Sequence, residues 1–142
     1  MIVLDTDHVS VLKYSEHPRA KHLADKLDAR PVNEAVCLTI ITVEEQMRGW
    51  LAAVAKERGS HRQVMAYREL QRLFEYFQLF QIIAFDESCA DQFERLRAAK
   101  IRIGTMDLKI AATALVHGAL LLSANLRDFE RVPGLRVEDW LD

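Results

Sequence analysis

The stretch Met1-Ile2-Val3-Leu4-Asp5-Thr6-Asp7 decides the fold. A short, uninterrupted apolar run reads as a strand buried on both faces, as in a parallel sheet covered by helices. Carboxylates placed directly after it stand at the strand's carboxyl end, the rim where α/β sheets bind ligands. A carboxylate held there needs a cation, a helix N-terminus or a basic partner. Either acid could simply cap the next helix. That use is expected of Asp7, and a functional one of Asp5.

The rest of the chain repeats the alternation. Helical patterning runs over Val9–Tyr14 and Arg19–Ala29, and Val36–Ile41 is a second β-branched, buried strand. Thr42 with Glu45 forms a capping-box pattern opening a helix to Glu57, with Gly59 as its stop. Ser60 with Gln63 repeats that signature for a helix reaching Phe80. Ile82–Phe85 reads as a strand, and Asp86 caps a helix over Glu87–Lys100. Thr105 caps another over Met106–His117, which Gly118 ends. Ala119–Ser123 is a core strand, Leu126–Arg131 a helical turn, and Leu135–Val137 an edge strand. Strands alternating with helices imply an α/β fold: a mainly parallel central sheet with helices on both faces. Residues 1–142 are read as one domain.

Composition narrows the function. The formal net charge of −2 gives no bulk attraction to nucleic acid, so an RNA-binding role would need a local basic patch or metal ions. Arg95, Arg97, Lys100 and Arg102 are the candidate patch, although a solvated helix face explains them equally well. Cys37 and Cys89 lack CxxC spacing and read as reduced packing residues. The N-terminus lacks the pattern of a secretion signal, and no apolar run could span a membrane, so a cytoplasmic protein is expected. His8, His17, His22, His61 and His117 are scattered without zinc spacing, and there is no Gly-x-Ser-x-Gly elbow, phosphate-binding loop or GxGxxG.

Carboxylates remain. Asp107 heads a stripe with Ile110, Ala111 and Ala114 at helical spacing, which aims it at the core edge; Lys109 and His117 fall off that stripe into solvent. A helix's first turn also favours an acid for its own sake. Glu45 is explained by its capping box, yet stands in the first helical turn after a core strand, with Gly49 leaving space beside it. Asp128 follows the corner Ser123-Ala124-Asn125 in a surface-like stretch. Asn125 is either a turn residue or a hydrogen-bond partner. A doubly wound sheet would bring Asp5, Glu45, Asp107 and Asp128 to one rim, where their repulsion calls for counter-charge. Two divalent cations would supply it, and oxygen ligands select Mg2+ or Mn2+.

These residues resemble a known family. Met1–Asp7, Ile41-Thr42-Val43-Glu44-Glu45-Gln46-Met47-Arg48-Gly49, Asp107–Ala114, Leu122–Phe129 and Leu135–Trp140 follow, in order and over almost the whole chain, the pattern of PIN-domain ribonucleases of the VapC type. These are the toxins of type II toxin–antitoxin pairs. The resemblance implies a PIN-like fold and an Mg2+-dependent endoribonuclease. Asp5, Glu45, Asp107 and Asp128 match the family's acidic positions, with Thr6, Asp7, Ser123 and Asn125 around them. Asp7 stands where Asn is more usual and Ser123 where Thr is usual. Two-metal-type attack of water on phosphorus would leave a 5′-phosphate and a 3′-hydroxyl. In that scheme Asp5 and Asp107 anchor the metal, and Glu45 binds metal or takes a proton. The resemblance also implies a VapB-type antitoxin covering the acidic groove, and a homodimer. Apolar surface around Trp50-Leu51 and Tyr67–Phe80 is available for either contact.

Two rival readings follow from the same residues. One is a PIN-like interaction module without catalysis. The other is a haloacid-dehalogenase-type phosphatase with Asp5 as nucleophile and Asp7 as acid/base. The phosphatase needs a Lys and an acidic pair downstream of Ser123, where little chain remains.

Overall fold

The computed structural model describes residues 1–14 and 16–141; Ser15 and Asp142, the last residue of the expected domain, lie outside the described residues. The chain runs β1 (Ile2–Leu4), α1 (Thr6–Lys13), α2 (Ala20–Asp28), β2 (Val36–Thr39), α3 (Ile40–Lys56) and α4 (Ser60–Phe77). It continues through β3 (Gln81–Ile83), α5 (Glu87–Ala98), α6 (Thr105–Val116), β4 (Leu120–Leu122), α7 (Leu126–Phe129) and β5 (Arg136–Glu138). The five strands form one sheet in the order β3-β2-β1-β4-β5, and every pairing is parallel. This is the α/β architecture expected from the sequence.

Alternate strand residues feed two cores. Ile2, Leu4, Leu38 and Leu122 meet Val9, Leu23, Leu73 and Phe77 on one face. Val3, Cys37 and Leu121 meet Phe93, Leu96, Ile110, Ala111, Ala114 and Phe129 on the other. Both faces being covered at the centre of the sheet, β1 and β4 read as unbroken apolar runs, while the edge strands β3 and β5 carry exposed residues. A slip of one residue would exchange the two faces, so the register is firmly set. Helix α6 is buried on more sides than its expected stripe: Leu108, Ala112 and Thr113 are also enclosed, because α6 packs against α5 as well as the sheet. Lys109, expected in solvent, instead lays its ammonium over Phe85 at 5.9 Å and Phe93 at 5.8 Å. His117 is exposed, as expected.

Several helices start earlier than the sequence suggests because the N-cap is an earlier residue. Thr39, not Thr42, caps α3, its hydroxyl accepting from the Thr42 N–H at 3.1 Å, so the helix begins at Ile40 and β2 stops at Thr39. Thr42 is inside the helix, and no capping box forms with Glu45. Gly104, not Thr105, is the N-cap of α6. Gly59 takes that position for α4 in place of Ser60, with φ +91, while Gln63 donates to the Val54 carbonyl. Asp86 caps α5 as expected, accepting from the Cys89 N–H. Gly118 follows α6 with φ +59, also as expected.

Thr39 is fully buried where β2 turns into α3. Thr39→Ala is expected to cost about 1–2 kcal/mol, read as a lower denaturant midpoint at unchanged slope. An unmoved midpoint would show that Thr39 does not hold this junction.

Candidate active site

From β1 the chain steps to β2 and β3 on one side, then returns to place β4 and β5 on the other. The gap between the carboxyl ends of β1 and β4 is therefore the topological switch point. Asp5 leaves β1 there, its backbone N–H donating to the Leu122 carbonyl at 2.9 Å. Its side chain is buried, 6% exposed. Oδ1 accepts from the Thr6 N–H at 2.8 Å and Oδ2 from the Ser123 hydroxyl at 2.7 Å. Asp5 is thus the N-cap of α1, the use expected of Asp7, and this is why α1 begins at Thr6 and not at Val9. Asp7 does other work: Oδ2 accepts from the Ala124 N–H at 2.9 Å and lies 3.4 Å from the Ser123 hydroxyl.

The remaining carboxylates come to the same rim. Glu45, in the second turn of α3, accepts from the Thr6 hydroxyl at 3.2 Å. Loss of the capping box removes the structural reason the sequence offered for this residue. Gly49, one turn on, has open space around it, and a groove of about 300 Å³ is lined by Glu45, Gln46, Gly49, Trp50 and Ala53. Asp107 lies in the first turn of α6. Asn125 bridges it to Asp128, its Nδ2 donating at 3.4 Å to Asp107 and 3.1 Å to Asp128. Asn125 is therefore both the turn residue before α7 and a hydrogen-bond partner of the acids.

Electrostatics show that these groups share one field. Burial first, then the Asp7 charge, push the Asp5 carboxyl from 3.8 up to about 6, with Asp107 adding to the rise and Ser123 and Thr6 opposing it. Glu45 is raised by burial, with contributions from Asp107 and Glu44. Asp107 is raised by burial and by Asp128 and Asp7, against the Asn125 hydrogen bond. Among the described residues Arg131 approaches Asp128 at 3.9 Å, while no Lys or Arg pairs with Asp5, Glu45 or Asp107.

The donor set is all oxygen and anionic, which suits a hard divalent cation and not zinc. Among the described residues, no three His, Cys, Asp or Glu side chains already converge on a metal-sized point. Their oxygens are instead turned toward Ser123, Asn125 and Thr6. An ion entering here would have to draw carboxylates away from these hydrogen bonds. Asp7, with both oxygens engaged, lacks the free position that a phosphatase acid/base would need.

One residue was passed over as a scattered histidine. His8 is fully buried; its Nδ1 lies 2.6 Å from Asp7 Oδ1, and its Nε2 accepts from the Trp140 N–H at 3.1 Å. The detectable signal was its position: His8 precedes Val11 and Leu12 by three and four residues, on an apolar helical face.

Comparison with known proteins agrees with this fold. The PIN domain family model matches residues 2–135. A plasmid stability protein, StbB, from Pseudomonas syringae pv. tomato is 33% identical over 142 residues, covering 96% of each chain. Ribonuclease VapC2 of Haemophilus influenzae is 30% identical, covering 75% of this chain and 76% of its own. A solved toxin–antitoxin complex from Klebsiella pneumoniae contains a chain 25% identical, with a TM-score of 0.68 and coverage of 99% of this chain and 98% of that one. The chain belongs to the PIN-domain family, among its VapC-type members.

Proposed function

We propose that this chain is a divalent-cation-dependent endoribonuclease acting as the toxin of a toxin–antitoxin pair. The observation that carries the reading is Asp5: a buried carboxylate at the switch point, among acids that raise its pKa, with no basic side chain paired to it among the described residues. Asp5 and Asp107 would hold a Mg2+ or Mn2+ ion, with Glu45 and Asp128 completing the oxygen set. Such an ion supplies Lewis acidity for the charge that develops on phosphate oxygens. Glu45, whose proton affinity is raised by burial, would accept the proton of the attacking water. Ser123 and Asn125 orient the acids.

RNA as substrate is supported by the family and by exposed cations beside the acidic rim. Arg95, Arg97, Lys100 and Arg102 are exposed at the end of α5 and in the loop leading to α6. Arg131 donates to the Arg102 carbonyl while facing Asp128, which ties this loop to the site. Local cations thus offset an acidic chain that has no general attraction for RNA.

A protein partner is supported by apolar surface on α3, the helix that carries Glu45, and on α4, which packs against it. Ile40 and Leu51 on α3 and Val64, Met65, Tyr67 and Phe74 on α4 are exposed. Trp50, Leu73, Tyr76, Phe77 and Phe80 pack inward instead, so only part of the expected apolar surface is free. We propose that an antitoxin covers this face and the Glu45–Trp50 groove, and that the chain also forms a homodimer. Among the described residues no helix is long and apolar enough to cross a membrane.

Free of antitoxin and supplied with Mg2+ or Mn2+, the protein is expected to cut RNA. Glu45→Gln should lower kcat by about 10²–10⁴-fold. Asp5→Asn serves as the control against contaminating nucleases. Cleavage equal to wild type in both variants would show that the acids are not the active site.

Arg102→Gln and Lys100→Gln should raise KM for RNA and lessen its salt dependence, each reducing the log–log salt slope by about one. An unchanged slope would remove this patch from the RNA path.

Asp5 also predicts a pH effect. Its carboxyl keeps a proton up to about pH 6 when folded but releases it near pH 3.8 when unfolded. Folding without metal therefore takes up a proton between these values, so the contribution of Asp5 to stability declines as pH rises from about 4 to 6. At neutral pH the penalty is about 3 kcal/mol. In EDTA at pH 7, Asp5→Asn should melt above wild type, with the difference vanishing below about pH 4. A variant less stable than wild type at pH 7 would contradict the burial-driven shift.

A further inference from the structure

His8 is the best-buried titratable side chain near the rim, yet none of the roles above uses it. It is fully enclosed in the first turn of α1. The Trp140 N–H requires a lone pair on Nε2, which leaves the ring proton on Nδ1, facing Asp7 Oδ1. That bond fixes the Asp7 carboxylate so that its other oxygen receives the Ala124 N–H. Ala124 begins the corner that carries Asn125 and Asp128, and Ser123 beside it donates to Asp5. The ring is itself held from the far end of the chain, where Trp140 follows β5. Asp139 turns its Oδ1 to the Leu141 N–H, 3.7 Å from His8 Nε2, and Leu141 is buried in the α1-side core.

We propose that His8 is a positioning residue for the acidic site, transmitting the anchored C-terminal segment through Asp7 to the β4–α7 corner. A buried polar ring could instead simply hold α1 to the C-terminus. The two uses belong to different ring nitrogens, and this makes them separable. The proposal rests on the reading of the rim as a ribonuclease site, so its test includes a readout that needs no RNA.

His8→Asn keeps a donor near the Nδ1 position and loses the acceptor for Trp140. His8→Gln places an acceptor near Nε2 and loses the donor to Asp7. His8→Leu loses both. Outer hydrogen-bond partners of this kind are worth about 10–100-fold in activity. The expected result is a kcat loss of that size in His8→Gln and His8→Leu with KM for RNA little changed, and near wild-type kcat in His8→Asn even where its Tm drops. In an Asp7→Asn background, His8→Leu should cause no further loss. Independently of RNA, hydrogen exchange at the Ala124 amide should accelerate in His8→Gln but not in His8→Asn. Should wild type cut no RNA, the ribonuclease reading fails while Ala124 exchange still decides the role of His8. Unchanged Ala124 exchange in the folded Gln variant, or equal kcat losses in the Asn and Gln variants, would overturn the proposal. If the Leu variant does not fold, the Asn–Gln pair carries the test alone.

Discussion

The hydrogen bond from the Ser123 hydroxyl to the Asp5 carboxylate, 2.7 Å long and buried, is the contact on which the rest of the site depends. It joins the ends of β1 and β4, the two strands between which the sheet's connections diverge. Helix α1 contributes the Thr6 N–H, and its dipole favours the negative charge. None of these neutralises the charge. A carboxylate with two good hydrogen bonds still has a pKa raised to about 6, so desolvation and like charges outweigh the donors. The fold builds a place for an anion and leaves its charge unbalanced.

The same imbalance spreads around the rim through polar intermediaries. Thr6 connects α1 to Glu45, and Asn125 connects Asp107 to Asp128. These short polar side chains keep acids from four separate elements within each other's fields. Without such spacers, mutual repulsion would turn the carboxylates outward. The geometry is that of acids gathered at one rim and held there by polar side chains.

Much of this was legible in the sequence because the fold obeys simple patterns. Ile2-Val3-Leu4 and Leu120-Leu121-Leu122 are apolar without alternation, and both strands are covered on both sides. Asp5 directly after such a run could not avoid the rim. Caps were harder to read, because Thr39, Thr42, Ser60 and Thr105 are all chemically competent. At α3 the cap fell to Thr39, where the backbone leaves β2, and at α4 and α6 to the glycine just before the competent hydroxyl, choices that local preference does not encode. That misreading mattered at Glu45, whose apparent capping box disguised a residue turned toward the site. The role of His8 was harder to read for a related reason: Asp7 is its neighbour in the chain, but the Trp140 backbone reaches the ring only because β5 and the segment after it return to α1. Asp7 was assigned a cap that Asp5 provides, since sequence alone could not say which acid the sheet would bury.

The central claim is that the buried acids are poised for a divalent cation. Calorimetric titration of Mn2+ at pH 6 in two buffers of different ionisation enthalpy tests it most directly, since ligands must shed protons to bind. Binding with net proton release at pH 6, declining toward pH 8 and weakened in Asp107→Ala, is the predicted result. Absence of any binding heat, or binding unaltered by pH and by that substitution, would contradict it.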